Sequence, residues 1–174
     1  MTKKGYFSVG KVMGFWGLDG DVKVAVEEGR SEAFSQFNKI FIETDDGSLK
    51  ALNVERISVS GKFIRVKFKE ITNANEASEL KHGILYAKED AVRKTLKKDE
   101  YLISDLLGLT VYDTEGKRLG VIDNVTFNGA QDIISIETSN GKSSLVPFVN
   151  ELVPEVNLDD NYIVINPIDG LISQ

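Results

Sequence analysis

The sequence predicts a mainly β chain built as two small bodies joined by a short charged segment. Three observations carry this. Apolar and polar residues alternate at period two along most of the chain. In the second half, Gly-containing turns separate short alternating runs at spacings of about ten residues. The balance of charge also changes sign close to residue 98.

The elements follow in order. YFSVGKVM (6–13) and DVKVAV (21–26) alternate as strands do. RSEAFSQFN (30–38) carries Ala33, Phe34 and Phe37 at helical spacing, and predicts a helix. KIFIET (39–44) and KALNVERISVS (50–60) flank Asp45-Asp46-Gly47, and Asp-Gly suits a tight hairpin because glycine accepts positive φ. Ser60-Gly61 turns into KFIRVKF (62–68), where Phe63, Ile64, Val66 and Phe68 are expected mostly inward and Lys62, Arg65 and Lys67 mostly outward. TNANEASELKHG (72–83) predicts a second helix. Asn73 would be its N-cap, with Glu76 three residues on, His82 in the last turn against the helix dipole, and Gly83 as the stop.

Beyond residue 98 the β habit continues. LTVYDTEGKRLGVIDNVTF reads as strand, Glu115-Gly116 turn, strand. Asn128-Gly129 leads to DIISIET (132–138), and Asn140-Gly141 to KSSLVPFV (142–149). LVPEV (152–156) and YIVIN (162–166) complete a small antiparallel barrel or sandwich. Pro147, Pro154 and Pro167 must each lie at an edge, bulge or strand end, since proline donates nothing to a ladder. Between the halves, DAVRKTLKKDEY is dense in mixed charge and lacks aliphatic alternation, which sets domains at 1–94 and 99–174.

Residues 1–98 hold 18 Lys+Arg against 14 Asp+Glu, a balance of +4. Residues 99–174 hold Lys117, Arg118 and Lys142 against 13 Asp+Glu, a balance of −10. The acidic half should repel nucleic acid and attract a basic partner. With no cysteine and one histidine, the chain has no disulfide, thiolate zinc site, cysteine nucleophile or His-rich metal site. Neither an apolar leader nor a run of roughly 18 apolar residues is present, so the chain is expected in the compartment where it is made.

Motifs for chemistry are sparse. Gly14, Gly17 and Gly20 in MGFWGLDGDVKV precede a strand rather than a helix, so they form neither a Walker loop nor a dinucleotide fingerprint. They fit a sharp turn between strands, with Phe15 and Trp16 at its tip either a lid on the core, the reading that the common burial of aromatic residues favours, or a recognition surface. The acidic pairs Glu27-Glu28, Asp45-Asp46, Asp99-Glu100 and Asp159-Asp160 lie at turns or element ends, where solvated acids are common. No catalytic constellation emerges. Surface cations on strands, such as Lys11, Lys23, Lys62, Arg65 and Lys67, are of the kind nucleic-acid-binding barrels carry, but no interleaving of aromatic residues with them is expected on an outward face.

Several motifs in order resemble the RimM family, the bacterial ribosome maturation factors. VGKVMGFWGLDGDVKV (9–24) is similar to that family's opening motif, and DEYLISDLLGLTVYDTEGKRLGVIDNV (99–125) to the start of its second domain. NGAQDIISI, SLVPFVNELVPEV and INPIDGLIS continue the likeness to the C-terminus. The chain departs at Leu102, where the family often has a second tyrosine after the position of Tyr101, and at Phe15, Trp16 and Asp19, where it often has Thr-His and a basic residue.

The resemblance implies a translation-factor-like N-terminal β-barrel and a PRC-type C-terminal β-barrel. It implies a non-catalytic, cofactor-free factor for assembly of the 30S head and processing of 16S ribosomal RNA. The partners it implies are small-subunit ribosomal protein nineteen, a basic head protein held mainly by the second domain, and the pre-30S particle. Tyr101, Leu102, Asp105 and Phe148 are then the partner-binding candidates, and Lys11, Trp16 and Lys23 the RNA-facing ones. The chain is expected to be a cytoplasmic monomer. The alternative keeps the fold and makes it an interaction module for another basic or a membrane-associated partner.

Overall fold

A computed structural model describes residues 3–166, 168–170 and 172, in two compact units, Met1–Lys98 and Asp99–Gln174. Among the described residues no helix is long and apolar enough to cross a membrane.

The first unit is a closed six-stranded antiparallel barrel. Its strands are β1 (Tyr6–Trp16), β2 (Asp21–Ala25), β3 (Lys39–Glu43), β4 (Leu49–Ser60), β5 (Phe63–Phe68) and β6 (Ile84–Lys88), in the order β1-β2-β5-β4-β3-β6. The alternation in β5 turns Ile64, Val66 and Phe68 into the core, where they meet Val22, Val24 and Leu52. Phe63 is an exception to the expected inward set. It pairs with Ala25 and Ser60 and lies half-buried on the outer face, because it is one residue out of phase with Ile64.

Strand β6 has no alternation to mark it in the sequence, yet it closes the barrel by pairing with β1 and β3. Its Leu85, Tyr86 and Ala87 are all buried. A short continuous apolar run has no alternation to read.

Helix α1 (Ser31–Phe34) is shorter than the nine residues expected. The chain after it continues in turns, Gln36 N–H to Ala33 C=O at 3.2 Å and Phe37 N–H to Phe34 C=O at 3.1 Å. Those turns still bury Phe34 and Phe37, whose rings meet edge-on at 5.8 Å. Helix α2 (Ala74–Glu79) starts as expected: Asn73 Oδ1 accepts from Glu76 N–H at 2.9 Å. The Glu76 carboxylate reaches back to Thr72 N–H at 2.7 Å, one residue before the cap. These bonds hold its pKa below the ordinary value, the Thr72 backbone bond being the main cause.

The end of α2 differs from expectation. His82 is outside the helix at φ 71°, and its N–H donates to Val12 C=O at 2.8 Å, so it does not sit against the helix dipole. Gly83 is not a left-handed stop either. Its lack of a side chain serves close packing, since a Cβ there would lie 2.5 Å from Ile42 Cδ1. Helix α3 (Glu89–Arg93) follows β6 directly and carries the Glu89–Arg93 ion pair at 2.7 Å.

The β3–β4 turn shows how the sequence builds a hairpin. Asp46 Oδ1 accepts from Thr44 Oγ1 at 2.5 Å and from Ser48 N–H at 3.0 Å, and Gly47 takes φ 79°. The bond from the Thr44 hydroxyl is the largest cause that lowers the Asp46 pKa from 3.8 to about 2. A folded pKa below the unfolded one means that the contribution of this turn is complete above 3.8 and lost as pH falls through about 2. An NMR titration of the Asp46 carboxyl should therefore give a midpoint near 2, rising toward 3.8 in Thr44→Val. An unchanged midpoint in that variant would contradict the assignment to Thr44.

The second unit is a six-stranded sheet of β7 (Thr110–Asp113), β8 (Arg118–Phe127), β9 (Asp132–Thr138), β10 (Ser143–Pro147), β11 (Glu155–Asn157) and β12 (Tyr162–Ile165), ordered β10-β9-β8-β7-β12-β11. A short helix, α4 (Ile103–Leu106), precedes it and was not foreseen, since four residues carry no helical period. The core includes Leu106, Val111, Ile122, Ile134, Val146 and Ile163. Two details depart from an all-antiparallel reading. β7 and β12 pair in parallel, and the run expected at 152–156 begins only at Glu155, because Leu152 and Val153 turn back onto Val149 C=O. Pro147 closes the edge strand β10 and Pro154 stands exposed just before β11, as proline requires. Pro167 lies outside the described residues.

Candidate functional site

The barrel of the first unit gathers basic and aromatic residues on one outward face. Pairing across β1, β2, β5 and β4 makes its rows. Lys11 stands opposite Ala25, which stands opposite Phe63. Gly14, Lys23, Arg65 and Ser58 form the next row. Trp16 pairs with Asp21 at the end of the hairpin, beside the Lys67–Arg56 pair. The expected RNA-facing residues Lys11, Trp16 and Lys23 thus share a face, and the fold adds Arg56, Phe63 and Arg65 to it.

Cations and rings on this face are in contact. Lys23 Nζ sits 3.9 Å from the centre of the Phe63 ring, and Arg65 Cζ 5.9 Å from that of Trp16. Beneath them Asp21 is fully buried. Its carboxylate accepts from Arg56 Nη2 at 3.1 Å and from Arg65 Nε. The two arginine side chains remain 56% and 36% exposed, so a buried anion holds two guanidiniums that still face solvent. The turn after Trp16 is tied down by Lys67 Nζ, which donates to the Asp19 and Ile71 carbonyls.

The reading of Phe15 and Trp16 as a core lid is overturned: they are 54% and 41% exposed. Trp16 pairs with Asp21, in the phase of β2 that also carries Lys23 and points away from the core residues Val22 and Val24. The expected absence of aromatic interleaving on an outward face is corrected too. The interleaving runs across strands, between residues as far apart as Trp16 and Arg65.

In the second unit, Tyr101 and Phe148 come together at the margin of the core, rings edge-on at 5.9 Å. Both are half-buried. Burial, and then the charge of Asp99, push the Tyr101 hydroxyl pKa up. Asp105 is half-buried on α4, flanked along the chain by the exposed apolar residues Ile103 and Leu107. Leu102 is only 8% exposed, so this departure from the family doublet offers little surface to a partner. Ten of the 13 acidic residues of this unit are exposed, which leaves the negative potential facing outward. An open groove of about 640 Å³ between β7, β11 and β12 is lined by Tyr112, Tyr162, Asp113 and Glu155. The Tyr162 hydroxyl donates to Glu155 at 2.5 Å, which raises the tyrosine pKa.

Among the described residues no three His, Asp or Glu side chains group to hold a metal ion. His82 is exposed in a turn.

Comparison with known proteins agrees with this architecture. The RimM N-terminal domain family matches residues 7–92, and the RimM PRC barrel domain family matches residues 103–171. A ribosome maturation factor RimM of Caldicellulosiruptor bescii is 36% identical over 96% of this chain and 98% of its own. One of Carboxydothermus hydrogenoformans is 32% identical over 96% of each. A Pseudomonas aeruginosa crystal structure described as a 16S ribosomal RNA processing protein RimM shares 22% identity. It covers 94% of this chain and 98% of its own, with a TM-score of 0.47.

Proposed function

The chain belongs to the RimM family, and from that membership we propose that it is a non-catalytic maturation factor of the small ribosomal subunit. It works in the cytoplasm, on the head of the 30S particle and the processing of 16S ribosomal RNA. Its second unit holds a basic head protein, small-subunit ribosomal protein nineteen, until the RNA is ready to receive it. Its first unit approaches 16S RNA through the face that bears Lys11, Trp16 and Lys23.

One observation carries this reading: charge of opposite sign is segregated between two units that each have their own core. The −10 unit repels phosphate and steers a basic protein, while the +4 unit tolerates RNA. The Tyr101–Phe148 pair supplies half-buried aromatic area beside Asp105, the mixture of anchor and charge that interfaces favour.

The test is a pull-down of basic small-subunit proteins with 1–98 and 99–174, each first checked for a cooperative melt. Residues 99–174 are expected to retain the head protein at low salt and release it as salt rises, since screening acts over about 8 Å at physiological ionic strength. Retention by 1–98 alone would overturn the assignment.

A further inference from the structure

We propose that the outward face of β1, β2, β5 and β4 binds unpaired RNA, stacking a base on Trp16 and holding the adjoining phosphates with Lys23, Arg56 and Arg65. This rests on the RNA-facing reading of the first unit and narrows it to one RNA class and one set of contacts.

Charge selects a polyanion. Lys23, Arg56, Arg65 and Lys67 share the face, and the Asp21 carboxylate is buried beneath the guanidiniums. Asp21 also fixes Arg56 and Arg65 before any ligand arrives, which lowers the ordering entropy that binding would otherwise require. Trp16 exposes 41% of its surface at the end of the strand pair, next to Phe15 at 54%.

An exposed indole beside fixed cations suits a base whose face is free, since every base stacks whatever its sequence. A duplex conceals those faces, and the described face has no helix to enter a groove. An acidic peptide would satisfy the cations but leave the indole unused. Asp19 in the adjoining turn is exposed and disfavours a phosphate there, so the RNA backbone runs on the Lys23–Arg65 side of Trp16.

Trp16 is the only tryptophan in the chain, so its fluorescence reports the contact directly. The full chain is titrated with a short oligoadenylate, with the same strand paired to oligouridylate, and with polyglutamate. The single strand is expected to quench Trp16 saturably, with log K falling against log salt at a slope of about −2 for three neutralised phosphates. Duplex and polyglutamate should quench little. With labelled oligoadenylate, Trp16→Ala should bind roughly tenfold more weakly, and Lys23→Gln should flatten the slope by about 0.7.

Equal quenching by duplex or polyglutamate would overturn the proposal. Unchanged affinity in Trp16→Ala with an unchanged melt would do the same, and so would an unchanged slope in Lys23→Gln. Co-sedimentation of the full chain with 30S particles separates the two levels. If it persists without quenching by the single strand, this face is wrong and the wider reading stands; if it is absent, the wider reading fails.

Discussion

Replacing Gly120 by alanine should remove a large share of the stability of the 99–174 unit. Gly120 lies in β8 opposite Thr138, and a Cβ built there would stand 2.2 Å from the Glu137 carbonyl oxygen and 2.9 Å from Ile136 Cγ2. The first of these atoms is backbone, so no rotamer change relieves the clash. The strands β8 and β9 must separate where they anchor Ile122, Ile134 and Ile136 in the core. Overpacking costs typically about 1–3 kcal/mol, with the upper end expected where the clash is with backbone, against a total of about 4–11 kcal/mol for a unit of this length. Urea unfolding of 99–174 should show a midpoint far below that of the parent. A shift equivalent to less than about 1 kcal/mol would mean that the sheet yields at this point more easily than close packing allows.

The second large effect is expected in the first unit. Arg56→Ala together with Arg65→Ala strands the buried Asp21 carboxylate without either guanidinium. Removing the partners of a buried charge costs about 3–5 kcal/mol where the charge stays buried, an upper bound here because truncating the two solvent-facing arginines also opens Asp21 to water. Adding Asp21→Asn should recover much of that loss, because a neutral amide is far cheaper to leave in an apolar setting than an unpaired anion. The three sites share one network, so their effects will not add. Unfolding free energies at pH 7 for the double and the triple variant decide the matter. A triple variant less stable than the double would refute Asp21 as the stranded charge.

Much of this fold is legible in the sequence because much of it is local. The alternation of Ile64, Val66 and Phe68 places them in a core without reference to any partner strand. Asn73 with Glu76, and Asp46 with Gly47, state a helix start and a turn within four residues. What escaped reading has physical reasons of its own. Leu85, Tyr86 and Ala87 are buried on every side, so β6 has no polar phase to mark it as a strand. Trp16 takes the outward phase of its strand pair, beside Asp21 and Lys23, so its aromatic character alone pointed the wrong way. Gly83 and Gly120 are required by atoms of distant residues, Ile42 and Glu137, which their own surroundings in the sequence do not reveal.

The sequence by itself determined the β content, the opposite charges of the two halves and the family, because each is written in composition or in short ordered motifs. Only the tertiary structure decided which strand closes the barrel, that Tyr101 meets Phe148, and that Trp16, Lys23, Arg56 and Arg65 share one face above Asp21. The contacts of Tyr101 with Phe148, of Trp16 with Arg65 and of Asp21 with Arg56 and Arg65 join residues 35 or more positions apart, and strand pairing that brings such distant positions into register is a property of the whole chain.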